Sequence, residues 1–258
     1  MLSKYTKRFS LSSYGGINWN WLTGFEQVVT NGVPTYYAID FGQNAPFISR
    51  IVIFNQFWIY QGYHDLPYYA TYTTKYVGGF FYFSSASYFY KTNTNFEVIN
   101  YYQDNAYYKQ FFYDSTVSKF YVASQAYPRI DVFDTFCSRL QSISLGSNLP
   151  YGLASYNANI YAGIQNSNQV LVIQNGLVIK YFTIKQCPIT KYPIISITVD
   201  SFGNFAFTCF QSQLVLVYDS NGKYMNTSIP TPSYPYITAK DWNGRFVAMT
   251  RNELDIYY

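Results

Sequence analysis

The sequence predicts an all-β fold: a six-bladed β-propeller with four antiparallel strands per blade, its ring closed by the N-terminal strand completing the last blade. Three observations predict it. First, no stretch carries apolar residues at i, i+3, i+4 and i+7 between caps, so helical periodicity is missing. Second, short runs of Tyr, Phe, Val, Ile and Thr alternate with Gly, Asn, Asp and Pro. Branched and aromatic side chains suit a pleated, half-buried surface, and the punctuating residues suit turns. Third, one strand type recurs every 40 to 45 residues: YYAID from Tyr36, FFYFS from Phe80, FYVAS from Phe120, IYAGI from Ile160, FAFTC from Phe205 and FVAMT from Phe246. A period in this range is that of a propeller blade.

Each repeat supplies the other strands in order. Ahead of the recurring strand lies an innermost one: GLASY from Gly152, ISITVD from Ile195 and ITAKDW from Ile237. A proline often introduces it, as in Leu66-Pro67-Tyr68, Leu149-Pro150-Tyr151 and Tyr234-Pro235-Tyr236. Behind it comes a third strand: IDVFD from Ile130, VLVIQ from Val170, LVLVYD from Leu214 and LDIYY from Leu254. Turns such as Asn175-Gly176 and Asp219-Ser220-Asn221-Gly222 follow, and Asn-Gly favours the primed hairpins that match strand twist. An outer strand then completes the blade: RLQSISL from Arg139, IKYFTI from Ile179 and YMNTSI from Tyr224. The last repeat lacks this strand. SKYTKRFSLSS, from Ser3, aligns with the outer strands CSRLQSISLGS and GKYMNTSIPT. Residues Lys4 to Leu11 therefore read as its missing member, which removes an open sheet edge. The expected blades are residues 17–63, 64–105, 106–147, 148–190, 191–232, and 233–258 joined to 1–16, in one domain. The first blade departs most, with an insertion from Gly42 to Phe47 and an aromatic outer strand, Phe57-Trp58-Ile59-Tyr60.

The repeats resemble the NHL family of six-bladed propellers. The stretch YDSTVSKFYVASQAYPRIDVFDTFCSRLQSI, Tyr113 to Ile143, carries that likeness best through Asp114, Ala123, Ser124, Arg129 and Val132-Phe133-Asp134. Tyr192 to Ile229 repeats it with Asp200, Gly203, Val215 to Asp219 and Gly222. The resemblance implies a binding module: such propellers bind proteins or RNA, and a few related ones are calcium- or zinc-dependent enzymes. Fold alone does not choose among these.

Composition narrows the choice. The 258-residue protein is 49% hydrophobic, 22% aromatic and 12% charged, enough apolar surface for a large core. No apolar run approaches the length of a membrane-spanning helix. The start MLSKYTKRFS is basic without an apolar segment behind it, so no signal peptide is visible. Few lysines and glutamates, with many Tyr, Asn, Ser and Thr and an acceptor sequon at Asn226-Thr227-Ser228, suggest an extracellular or cell-surface setting. The net charge of +4 comes from scattered residues, which argues against a nucleic-acid face.

Cys137, Cys187 and Cys209 match no zinc spacing and read as buried thiols, with a Cys137–Cys187 disulfide as an alternative.

In a propeller, the loops joining second to third strands and those joining consecutive blades share one face. Ligands meet converging loops there. The expected binding residues on this loop face are Tyr68, Tyr151 and Tyr236 from the blade junctions. Asp40, Ser84, Ser124 and Thr208 come from the ends of the second strands, and Arg129, Gln165, Gln211 and Arg251 from the loops behind them. Rings at the junctions offer a large stacking face at low entropic cost. An axial calcium site needs six to eight oxygens, and this set holds one acid, Asp40. A zinc site needs several histidines, and His64 is the only one in the sequence, read as part of a surface loop. No G-x-S-x-G is present. Asp114, Asp200 and Asp241 recur at one repeat position and Asp134 and Asp219 at another, which suits turn capping better than paired acid catalysis. The sequence therefore points to a binding propeller for a protein or glycan ligand, without catalytic residues, metal or cofactor. The alternatives are a metal-dependent propeller hydrolase or lyase, and an RNA-binding propeller with Arg129 and Arg251 on a basic face.

Overall fold

The computed structural model describes residues 7–10, 22–41, 48–69, 71–231, 235, 237–240, 246–250 and 253–257. Five blades are each built from one continuous stretch of sequence, and each is a four-stranded antiparallel sheet in sequence order. With β1 (Lys7–Ser10) set aside, the first comprises β2 (Leu22–Thr30), β3 (Val33–Asp40), β4 (Arg50–Phe54) and β5 (Tyr60–Asp65). The second holds β6 (Thr73–Val77), β7 (Phe80–Ser84), β8 (Tyr88–Thr92) and β9 (Val98–Gln103). The third holds β10 (Tyr108–Asp114), β11 (Lys119–Ser124), β12 (Arg129–Phe133) and β13 (Arg139–Ser144). The fourth holds β14 (Pro150–Tyr156), β15 (Asn159–Ile164), β16 (Gln169–Gln174) and β17 (Leu177–Thr183). The fifth holds β18 (Ile194–Val199), β19 (Phe205–Cys209), β20 (Leu214–Tyr218) and β21 (Tyr224–Pro230).

A further four-stranded sheet is a composite. β22 (Ile237–Lys240), β23 (Phe246–Met249) and β24 (Glu253–Tyr257) pair in order, and β1 adds to the outer side of β24. The β1–β24 ladder is antiparallel and pairs Lys7 with Ile256 and Ser10 with Glu253. Residues 7–10, the described part of the Lys4 to Leu11 strand expected from sequence, all pair; the rest of that segment lies outside the described residues.

Among the described residues, buried clusters fill the gaps between neighbouring sheets. The period of two along a strand is what makes this work: successive side chains serve opposite faces. In β7, Phe81 and Phe83 pack toward the first blade with Ile39 and Ile51. Tyr82 between them packs the other way, with Phe111, Phe120 and Phe133 of the third blade. Val132 joins Leu153 and Leu171, and Val172 joins Phe205 and Phe207. Val215 joins Phe246 and Ala248, and Val247 and Met249 return to Leu22, Phe25 and Tyr36 of the first blade. The circuit is thereby closed by packing as well as by the β1–β24 ladder.

Two departures from the sequence reading concern the outer strand of the first blade. Phe57-Trp58-Ile59-Tyr60 is not an outer strand; Tyr60 begins that strand and the rest is turn. Asn55 Oδ1 accepts from the amides of Phe57 and Ile59, and the Trp58 amide donates to the Asn55 carbonyl. Trp58 then sits at φ 63°, in the left-handed region, with its ring stacked on Tyr36. The same device recurs before the outer strands of the second, third and fifth blades, where Asn93, Asp134 and Asp219 each accept from the amides two and four residues on. The residues three positions after them, Phe96, Cys137 and Gly222, have φ 62°, 60° and 79°. The Asx geometry outweighs the strand propensity of the aromatic residues within it. Asp114 and Asp200 cap the turns after innermost strands by the same chemistry. Asp241 lies outside the described residues, as does the Gly42 to Phe47 insertion. The second departure is His64, which is an exposed member of β5 rather than of a loop, because this outer strand runs on to Asp65.

The cysteine pairing differs from both sequence readings: Cys187 and Cys209 are not free thiols, and the bond is not Cys137–Cys187. Cys187, in the connection between β17 and β18, is bonded to Cys209 at the end of β19, with Cα atoms 5.6 Å apart. Cys137 belongs to a turn of another blade, buried in the seam with Tyr82 and Phe133, and stays a free thiol. Burial pushes that thiol up to about 12, which favours the protonated form at neutral pH.

Phe120 is fully buried against Tyr82, Phe89 and Phe111, so Phe120→Ala is expected to lower unfolding free energy by about 3–5 kcal/mol in chemical denaturation. Phe202, 83% exposed at a turn, provides the contrast: Phe202→Ala should change it by less than about 0.5 kcal/mol.

Candidate functional site

Each innermost strand pairs with only one neighbour, so its other edge faces the axis. In four blades this strand begins with a break in register. The ladder skips between Leu22 and Gly24, between Tyr108 and Phe111, between Pro150 and Leu153, and between Ile194 and Ser196. A bulge turns the unpaired residue out of the ladder and re-aims its side chain. The skipped residues are Thr23, Lys109, Gln110, Tyr151, Gly152 and Ile195. All but Gly152 line one cavity at the loop-face mouth of the axis. Phe41, Tyr72, Tyr107, Gln125, Tyr192 and Phe210, from loops and blade junctions, lie in the same wall. The cavity measures about 430 Å³, within the usual range for a ligand pocket.

Gln110 forms the floor. Its Oε1 accepts from the amides of Leu153, at 2.9 Å, and Ile197, at 3.0 Å, and its Nε2 donates to the Ile197 carbonyl at 3.1 Å. One side chain thus ties β10 to β14 and to β18, one blade further on. Gly152 permits the approach, since a Cβ there would lie 3.0 Å from the Ser196 backbone. Below Gln110 a second cavity of about 490 Å³ continues between the innermost strands. Glu26 and Lys75 meet there at 2.9 Å. Burial raises the Glu26 carboxyl above its ordinary value, and the Lys75 charge opposes that rise.

Lys109 is the unusual member of the upper cavity. It is 5% exposed, and no carboxylate among the described residues pairs with it. Its Nζ lies 3.3 Å from the centre of the Tyr72 ring and 5.2 Å from that of Tyr151. Ring faces attract a cation, yet burial dominates and holds the amine well below the ordinary lysine value. The Lys109 carbonyl accepts from Ser84 Oγ, at 2.5 Å, which fixes the bulge from the neighbouring blade. Burial also raises the Tyr72 phenol, with the nearby phenols of Tyr107, Tyr192 and Tyr69 adding to it.

Of the residues expected on this face, Tyr151 lines the cavity. Tyr68 instead stacks on Tyr88, with ring centres 3.9 Å apart, and edges onto Tyr90. Ser84, Ser124 and Thr208 are fully buried. Ser124 donates to the Ala106 carbonyl and Thr208 to that of Ser196, so these hydroxyls brace the blade entrances beneath the surface. Asp40 is buried as well. Arg129 is not a free cation: its guanidinium contacts Asp104 at 2.7 Å and Asp131 at 3.0 Å and covers the Tyr127 ring. Gln165 is half-buried and Gln211 exposed, and neither is part of the cavity wall. Tyr236 and Arg251 lie outside the described residues. Lys109 and Gln110 escape the sequence reading, although an adjacent polar pair inside YYKQFFYD, an otherwise aromatic innermost strand, is the signal that marks them. Among the described residues no three His, Cys, Asp or Glu side chains cluster as metal ligands would.

The fold and cavity define a β-propeller with four antiparallel strands per blade and an aromatic pocket at its axis. The protein is similar to a streptogramin B lyase structure, with TM-score 0.70 and 11% identity over 98% of this sequence and 96% of that one. It is similar to the WD40 propeller domain of Doa1, with TM-score 0.65 and 10% identity over 100% and 94%. Virginiamycin B lyase from Staphylococcus aureus matches with TM-score 0.65 and 12% identity over 97% and 98%. At such identities the likeness concerns the fold. No family model and no curated protein sequence matches.

A buried lysine without a counter-charge costs stability. Lys109→Met is therefore expected to stabilise the protein by about 0.5–2 kcal/mol at neutral pH, read from urea midpoints. Between the lowered folded value and 10.5, the unfolded state holds a proton that the folded state lacks. Wild-type stability accordingly gains a rising contribution with pH across that window, and the variant should lack it.

Proposed function

We propose that this protein is a non-enzymatic binding propeller that receives a segment of a protein ligand on its loop face, with the axial cavity as the anchor pocket. The observation that carries the reading is the convergence of rings from several blades around one hollow: Phe41, Tyr72, Tyr107, Tyr151, Tyr192 and Phe210. Buried aromatic pockets rimmed by partly exposed rings are where protein interfaces concentrate their energy. Of the converging rings Tyr107 is itself half exposed, and Tyr69 and Tyr127, in a blade junction and a loop of the same kind, are exposed as well. A glycan would call for many free polar partners at the wall, and one of those present, Gln110, is already engaged by three backbone groups. The NHL-like repeat pattern is compatible with this role, and the Cys187–Cys209 bond with an extracellular or cell-surface setting. The ion-paired Arg129 supplies little to an RNA-binding reading.

Selection against a displayed random-peptide library tests the proposal. Peptides selected by the wild-type protein are expected to lose at least about tenfold in affinity for Tyr72→Ala and for Tyr151→Ala, with circular dichroism unchanged. Selected peptides indifferent to both substitutions would place binding elsewhere. Hits on a glycan array with none from the peptide library would replace the protein ligand by a carbohydrate.

A further inference from the structure

The anchor pocket contains a feature that a purely apolar hollow does not need. Lys109 is brought into it by the bulge between Tyr108 and Phe111, held there by Ser84 on its carbonyl, and faced by rings. No described carboxylate neutralises it from β10 or from the elements packed around it. The titratable groups that share the cavity with it are the phenols of Tyr72, Tyr107, Tyr151 and Tyr192. Among the described residues this buried amine has rings but no carboxylate, the partner that would best offset its burial. The cavity beside it supplies the room.

We infer that the pocket selects a carboxylate: Lys109 Nζ anchors the carboxylate of an incoming protein segment while the adjoining apolar or aromatic side chain packs against Tyr72 and Tyr151. This rests on the reading of the cavity as an anchor pocket and names the chemistry that it takes. The carboxylate comes from one of two sources, the C-terminus of a polypeptide or an Asp or Glu side chain. Pairing with an anion favours the ammonium form, so the site takes up a proton as the ligand binds wherever the free amine is uncharged.

Three small probes separate the outcomes: acetyl-Gly-Phe with a free C-terminal carboxylate, the same dipeptide as its C-terminal amide, and acetyl-Glu-Phe amide. They are titrated into the full-length protein at low salt and followed by NMR and calorimetry. At least one carboxylate-bearing probe is expected to bind about tenfold or more tightly than acetyl-Gly-Phe amide. The free acid leading identifies a polypeptide terminus, and the Glu probe leading identifies a side chain. Lys109→Met should bring all three to the affinity of the amide. Wild-type calorimetry in two buffers of different ionisation enthalpy, repeated from pH 7 to pH 10, should show net proton uptake with the tighter probe within that range, which keeps the test independent of the variant's folding. Equal binding of all three probes overturns the role of Lys109 and leaves the anchor pocket standing. Binding by none overturns both.

Discussion

The constraint on which the rest depends is the free inner edge of each blade. An innermost strand has a ladder partner on one side and the axis on the other, and several such edges converge. Backbone groups there need partners, because a buried amide or carbonyl left alone is costly. Gln110 answers part of this need by bonding the backbone of two other innermost strands at once. In doing so it divides the central space into an upper hollow and a lower one. Gly152 makes this geometry attainable by letting β14 and β18 come close. The position of the candidate site is thus a by-product of satisfying the sheet edges.

The register breaks follow from the same crowding. Where innermost strands enter the ring, regular alternation would send every second side chain into a blade seam. Skipping one or two residues frees them to point at the axis. Lys109, Tyr151, Ile195 and Thr23 reach the cavity in this way. The neighbouring hydroxyls of Ser84 and Thr208 act on carbonyls at these entrances, so the layer beneath the pocket is polar and engaged. An aromatic wall with one amine, braced from behind by hydroxyls, is a rigid arrangement whose side chains have little freedom left to lose on binding.

Much of the fold is legible because it rests on patterns local in sequence. The recurrence from Tyr36 to Phe246, the Asx turns at Asp134 and Asp219, and the Asn175-Gly176 hairpin all act over a few residues. Trp58 reads wrongly as strand because its left-handed turn position is set by Asn55 three residues earlier, whereas an aromatic run by itself resembles a strand. For Ser84, Ser124 and Thr208 the sequence points to the correct end of the blades but the wrong depth, since the seam between two blades is a tertiary feature. The cavity wall is least legible. A bulge depends on how two strands pair, so the polar pair inside YYKQFFYD marks the place without fixing that Lys109 leaves the ladder. Tyr72, Tyr107 and Tyr192 stand near blade junctions just as Tyr68 and Tyr151 do, and only the curvature of the backbone separates those that reach the axis from the one that stacks on Tyr88.

The closed circuit of packed seams also behaves as a hoop. Its circumference is set by how many sheets stand in it and by how thickly side chains such as Phe83, Phe133 and Phe207 fill the wedges between them. The bore at the centre is whatever that circumference leaves. Enlarging it would mean prising a wedge apart and exposing rings to water, so the width of the aperture is held by the same packing that holds the hoop together.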